Sequence, residues 1–236
     1  MKILSISTSS NICSVAILDD KNIILCKNID DKNTHSEKLM PLINSILKDC
    51  NLCLNDISLL ACSVGPGSFT GIRIGIATLK AFYDATSIPV IGVTSLESLA
   101  YNIKQDGLIC SLIDAKHNNV YFSLFRYENG KYSLQADYLS DTIENVLSIL
   151  KSYNTKITFV GDGSFVYKSL IEDALEDFAC FSDIDLNKEN AVSVGIAALE
   201  KYKSGYIGNS DTLSPIYLKK SQAERLLDVN SNGHNN

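Results

Sequence analysis

Short apolar runs punctuated by polar turns open the chain. Ile3–Thr8, Cys13–Leu18 and Ile23–Asn28 are separated by Ser9-Ser10-Asn11 and Asp19-Asp20-Lys21-Asn22, the pattern of three strands joined by tight turns. The period then changes. Over Thr34–Cys50, Leu39, Leu42, Ile43, Ile46 and Leu47 recur at helical spacing and predict a helix with one apolar stripe. Pro41 lies inside that stripe, so the helix either starts near it or is kinked there. Ile57–Ser63 reads as a buried strand, Ile72–Ala85 as a helix, Pro89–Val93 as a strand and Ser95–Tyr101 as a helix.

The order then restarts. Leu108–Asp114, Val120–Tyr127 and Tyr132–Leu139 read as strands, the last two joined by the hairpin turn Glu128-Asn129-Gly130-Lys131. Asp141 or Thr142 can cap a helix running to Leu150. Ile157–Gly161 is a strand, and Ser164–Phe178 and Ala191–Tyr202 are helices. A βββαβα unit thus occurs twice, offset by roughly 105 residues. This is the plan of the α/β fold shared by the actin, sugar-kinase and Hsp70 superfamily, in which the first hairpin turns of the two lobes face one cleft. The expected organisation is an N-terminal lobe over 1–102 and a C-terminal lobe over 103–212. Residues 213–228 are expected to pack back on the first lobe, and the polar 229–236 to form a disordered tail.

Composition narrows the function classes. With 21 Lys plus Arg against 27 Asp plus Glu, the net charge is −6, and only Arg73, Arg126 and Arg225 are arginines. Phosphate contacts need a concentrated basic surface, so the chain is a poor nucleic-acid binder by itself. No apolar run has the ~18–20 residues of a membrane span, and the N-terminus lacks signal-peptide features, which points to a cytoplasmic protein with no membrane partner. Seven cysteines, an odd number lying mostly in apolar runs, read as reduced small hydrophobes. Cys50-Asn-Leu-Cys53 has no second pair at zinc spacing.

The strongest local motif is Gly65-Pro-Gly-Ser-Phe-Thr-Gly-Ile-Arg-Ile-Gly75, between a buried strand and a helix. Ser68 or Thr70 can cap that helix, whose free N–H groups form an anion site to which Arg73 can add charge. The alternative is a tight turn in which Gly65, Pro66, Gly67, Gly71 and Gly75 serve close packing. No Gly-Lys-[Ser/Thr] follows, so it is not a Walker loop.

That motif, together with ILSISTSSNICSVAIL, THSEKLMPLI, PVIGVTSLESLA, DAKHNNVYFSLF, Gly161-Asp-Gly163 and Pro215-Ile-Tyr-Leu218, resembles the TsaB (YeaZ) family over nearly the whole chain. The resemblance implies a dimerising, non-catalytic scaffold for its paralogue TsaD, which installs threonylcarbamoyladenosine in tRNA with the ATPase TsaE. It also implies tRNA contact only through the complex, and a homodimer as an option when the protein is alone. It places the partner interface on the first-lobe helices 39–47 and 72–83: His35, Met40, Ile43, Leu47, Ile72, Ile76, Lys80 and Tyr83. TsaD-like proteins carry a His-x-x-x-His metal pair where this chain has Ser95 and Leu99, and TsaB-like ones often carry an Asp where it has Ser7. A hydroxyl and an isobutyl group are poor metal ligands. The implied cleft has no metal, no cofactor, no hairpin carboxylate and no catalytic residue.

The remaining candidates have two readings each. Thr8, Ser9 and Asp114, with Gly161, Asp162 and Gly163, are either residual nucleotide or phosphate turns or ordinary polar turns. His35 reads as a surface or interface residue, because neighbours in sequence such as Ser36 do not face it on a helix. Tyr121, Phe122 and Phe125 read as core. The rival functions are a degenerate peptidase or ATPase of the same superfamily and a stand-alone nucleotide-binding regulator.

Overall fold

A computed structural model describes residues 1–30 and 35–218 of the chain. In the first half, β1 (Lys2–Ser7), β2 (Ile12–Asp19) and β3 (Asn22–Asp30) form an antiparallel meander. Then come α1 (His35–Asp49), β4 (Leu59–Ser63), α2 (Phe69–Thr86), β5 (Val90–Val93) and α3 (Ser95–Ala100), with β4 and β5 joining in parallel. The second half repeats this with β6 (Gly107–Asp114), β7 (Asn119–Glu128), β8 (Lys131–Thr142), α4 (Ile143–Lys151) and β9 (Ile157–Val160). It continues with α5 (Asp162–Val166), α6 (Lys168–Leu175), β10 (Ala179–Phe181) and α7 (Ala191–Lys203). The sheet orders β3-β2-β1-β4-β5 and β8-β7-β6-β9-β10 are the same order moved on by five strands. The duplicated α/β plan is therefore present in the pairing as well as in the sequence of elements.

The central strands are apolar on both faces because both faces are covered. Leu4 and Ile6 of β1 pack with Leu39, Ile43 and Ile46 of α1 and Ile72, Ile76 and Leu79 of α2. Ile3, on the opposite face, packs with Ala16, Leu18, Ile91 and the α7 residues Val194, Ala197 and Ala198. Close approach there needs a small helix face: a Cβ on Gly195 would lie 2.7 Å from the Leu18 side chain and 2.8 Å from Ser5 Oγ. On the second sheet, α4 and α6 cover one face and α3 lies against β6 and β7 on the other.

The final helix of each half therefore covers the other half's sheet. The first sheet ends at Val93 and the second begins at Gly107. Periodicity shows that α3 and α7 each have an apolar face but not which sheet that face meets.

Other boundaries also differ from expectation. The helix expected over Ser164–Phe178 starts at Asp162 and breaks at Tyr167, with a 3-10 turn over Glu176–Phe178. The break turns Tyr167 inward, where its hydroxyl donates to Asp114 Oδ1 at 3.2 Å. The three-residue β10 is too short to carry a period. Ile57 precedes β4 after a 3-10 turn over Leu54–Asp56, and α2 begins at Phe69 rather than Ile72. Pro41 sits in the second turn of α1 on its exposed side, where the Glu37 carbonyl it leaves free can face water. Phe122 and Phe125 are core, and Tyr121 is half-buried.

Beyond α7 the chain returns to the first sheet. Leu213 is buried in the α1–α2 core, Ile216 N–H donates to Val64 O at 2.8 Å, and Tyr217 stacks on Phe69 with centroids 4.7 Å apart. The rest of the segment expected to pack back, residues 219–228, and the polar tail over 229–236 lie outside the described residues. Among the described residues no helix is long and apolar enough to cross a membrane.

Candidate functional site

A cleft of about 530 Å³ lies between the two halves. The turn Ser9-Ser10-Asn11 and the loop Pro66-Gly67-Ser68 line one side; Asp114, Lys116, Asp162 and the run Asn187-Lys188-Glu189 line the other. Both first hairpins thus open onto one space. Of the candidate turn residues, Ser9, Asp114 and Asp162 line the cleft, whereas Thr8, Gly161 and Gly163 do not. Thr8 is buried with its hydroxyl donating to Gly71 O at 2.7 Å. Gly161, at φ +107°, lies against β6, where a Cβ would come within 2.2 Å of Leu112 O.

The glycine-rich motif is shaped by the hairpin beside it. A Cβ on Gly67 would lie 2.3 Å from Ser9 O, and one on Gly71 1.9 Å from Thr8 O. No side chain fits in either place, so these glycines let the loop and α2 press onto the first turn. Ser68, not Thr70, caps α2 by accepting from Gly71 N–H at 3.2 Å. The Ser68 N–H, which an anion would use, already donates to Ser9 O at 2.7 Å. Arg73 faces away from the cleft. Its guanidinium packs over the rings of Phe69 and Tyr217, at 5.9 and 5.6 Å, and Nε donates to the Tyr217 hydroxyl at 2.8 Å. The expected addition of Arg73 to an anion site is therefore not what the fold makes of this residue.

Two polar residues that pattern reading missed organise the cleft floor. The side chain of Asn187 is buried; its Oδ1 accepts from Gly161 N–H at 2.7 Å and Ser164 Oγ at 3.1 Å, which pins the Gly161-Asp162-Gly163 turn. Glu189 is 7% exposed and reaches the first hairpin, accepting from Ser7 Oγ at 3.0 Å and from Ser9 Oγ. Ser63 donates to Ser9 Oγ at 3.2 Å and lies 3.0 Å from Ser95 Oγ, which completes a buried hydroxyl cluster. A carboxyl is thus present beside Ser7 after all. It comes from 182 residues away in sequence, where no local motif marks it. Burial pushes the Glu189 carboxyl above the usual carboxylate range, against the lowering effect of the hydroxyls around it.

On the other wall, burial also opposes ionisation of Asp114. There the Lys116 ammonium, 2.5 Å from Oδ2, and the Lys116 N–H outweigh it and hold the carboxyl below its ordinary range.

The residues expected at a partner interface divide. Met40 is exposed, and His35, Lys80 and Tyr83 are half-buried. Ile43, Leu47, Ile72 and Ile76 are buried in the chain's own core and are unavailable to a partner. They occupy the same helix faces as Leu39, Ile46 and Leu79, so the stripes mark the inner faces of α1 and α2. His35 Nε2 lies 2.8 Å from Ser10 O, so that nitrogen carries a proton and ties α1 to the first turn.

Ser95 is fully buried, and Leu99 is buried against the second sheet. Neither fits a metal. Among the described residues no three His, Cys, Asp or Glu side chains gather at metal-binding range. All seven cysteines are free, and burial pushes the Cys13 thiol up to about 11 and those of Cys62 and Cys110 higher still.

The family model for "TsaD: tRNA N6-adenosine threonylcarbamoyltransferase" matches residues 30–226. The tRNA threonylcarbamoyladenosine biosynthesis protein TsaB of Bacillus subtilis is 31% identical over 225 residues, covering 95% of this chain and 96% of that protein. TsaB of Haemophilus influenzae is 29% identical, covering 93% and 94%. A solved structure described as similar to peptidase YeaZ, from Pseudomonas aeruginosa, superposes with a TM-score of 0.79 at 22% identity, covering 92% of this chain and 99% of that one. The ROK hexokinase of Thermus thermophilus shares the fold at a TM-score of 0.53 and 8% identity, covering 87% and 100%. With two α/β sheets in one duplicated order and this likeness along its length, the chain belongs to the TsaB (YeaZ) group of the TsaD threonylcarbamoyltransferase family.

Proposed function

We propose that the chain acts in the cytoplasm as a non-catalytic subunit in threonylcarbamoyl modification of the tRNA adenosine next to the anticodon. It pairs with a TsaD-type paralogue and holds it in a competent state, with a TsaE-type ATPase in the larger assembly. The observation that carries this reading is the state of the two positions where TsaD-like proteins keep their metal-binding histidines. Ser95 is tied to Ser63 through its hydroxyl, and Leu99 is core. Neither offers a lone pair suited to a transition metal. The Glu189 carboxyl is engaged by hydroxyls in the cleft floor and is poorly placed to hold a magnesium ion or orient water. The outer faces of α1 and α2, around Met40, Lys80 and Tyr83, form the surface for TsaD or, in its absence, for a second copy. With a charge of −6 the chain reaches tRNA through its partner.

Reconstitution tests this directly. Purified TsaD and TsaE partners with tRNA, threonylcarbamoyl-adenylate and ATP should form the modified nucleoside with this chain and lose at least tenfold in rate without it. Equal rates would overturn the proposal. So would ATP or peptide hydrolysis by the chain alone that disappears on Glu189→Gln. Residual nucleotide binding is the second reading, favoured by the open cleft with Lys116 and Lys188 on its wall. Equilibrium dialysis with labelled ATP separates it from the first.

A further inference from the structure

The internal repeat makes α4 and α6 the second-half counterparts of α1 and α2, each pair covering one face of its sheet. The two outer surfaces differ. Between α4 and α6 runs a groove made of two adjoining hollows of about 350 and 200 Å³, which share Lys151 and Ala174. Leu147 and Leu170 line the first hollow, and Leu150, Leu175 and Phe178 the second. Leu170 and Phe178 are 43% and 40% exposed, a large apolar outlay for a surface groove.

Its rim is acidic. Glu144 and Asp173 border the first hollow and Glu176 the second, against Lys151 as the one lining cation. Nearby Lys168 is engaged with Glu172 at 3.7 Å and lies 5.1 Å from the Phe181 ring centre. The groove follows α4, whose nine residues span about 13 Å, the length of two to three turns of a docked helix.

We propose that the α4–α6 groove is a docking site for an amphipathic helix of a protein partner, one that inserts apolar side chains into the two hollows and sets Lys or Arg against Glu144, Asp173 and Glu176. Charge complementarity selects this occupant. A second copy would bring the same acidic rim against itself across a two-fold contact. A helix fits a groove between two helices by the same ridge packing that joins helices in a core. The site is independent of the α1–α2 surface and leaves that face open to TsaD.

The test uses the full chain and a fluorescein-labelled 14-residue helical peptide of Leu and Lys with leucines on one face. A peptide of the same composition in scrambled order is the control. The ordered peptide should bind saturably, and its amide chemical-shift changes in 15N-labelled protein should cluster on α4 and α6. Leu170→Asp should weaken binding at least tenfold. Asp173→Lys with Glu176→Lys should do the same and reduce its salt dependence, while Met40→Asp leaves it unchanged. If Leu170→Asp compromises folding, the Asp173/Glu176 variant, altered only at exposed positions, carries the test. Equal binding of the scrambled peptide, shifts centred on the cleft or on α1–α2, or unchanged affinity in the groove variants would overturn the proposal. So would a dimer in sedimentation that Leu170→Asp dissociates.

Discussion

Burial and hydrogen bonding pull Glu189 in opposite directions. Its carboxyl is buried, which favours the protonated form, while Ser7 and Ser9 donate to it and favour the charged one; burial prevails. The folded state therefore keeps this proton to higher pH than the unfolded chain does. As pH rises above the unfolded value near 4.5, the unfolded state binds fewer protons than the folded one, and stability falls until the folded group has also ionised. Glu189→Gln removes that titration while keeping an oxygen acceptor. Denaturant melts of the two proteins should diverge with rising pH in favour of Gln, and parallel curves from pH 4.5 to 8 would rule the assignment out. Glu189→Ala leaves two buried hydroxyls without their acceptor and should cost about 1–3 kcal/mol. At the same scale, Gly71→Ala drives a methyl into Thr8 O and should destabilise by about 1–3 kcal/mol, read as a fall of ~2–4 °C in Tm per kcal/mol.

The elements with the largest consequences are those that leave their own half. The segment Leu213–Tyr217 crosses the glycine-rich loop and closes the core under α2, so Leu213→Ala should cost about 2–4 kcal/mol although the residue lies in the irregular stretch after α7. Tyr217→Ala, which removes an exposed stack and the Arg73 contact, should cost only about 1 kcal/mol. The same contrast divides the predicted interface. Ile76→Glu buries a charge in the core and should unfold the protein, so a loss of partner binding in that variant reports on folding. Met40→Glu changes an exposed position and should leave Tm within about 1 °C while weakening co-elution with TsaD. Unaltered co-elution would move the interface elsewhere on the molecule.

For the whole molecule, charge and architecture point the same way. With a net charge of −6 and three arginines, the chain alone should bind tRNA more weakly than about 10 µM at physiological salt, measured by filter retention. Tight binding without TsaD would contradict a role exercised through the partner. The two-sheet frame holds a cleft whose walls come from both halves, so the polar groups that define it lie far apart in sequence and close in space.

The hydrophobic periods by themselves determined the duplicated βββαβα order, the buried strands and the apolar stripes of α1 and α2, because strand and helix alternation is a local property of the chain. That Ile43, Leu47, Ile72 and Ile76 face the core and not a partner was decided by packing. Composition determined the acidic charge, from which weak binding to free RNA is expected. Tertiary structure alone decided which sheet α3 and α7 cover, since an apolar stripe does not name its partner. It decided that Gly67 and Gly71 make room for Thr8 and Ser9, because a clash with a distant backbone has no signature near the glycine. It also placed Glu189 beside Ser7: a carboxyl missing from a hairpin can be supplied from 182 residues on, and only packing brings the two together.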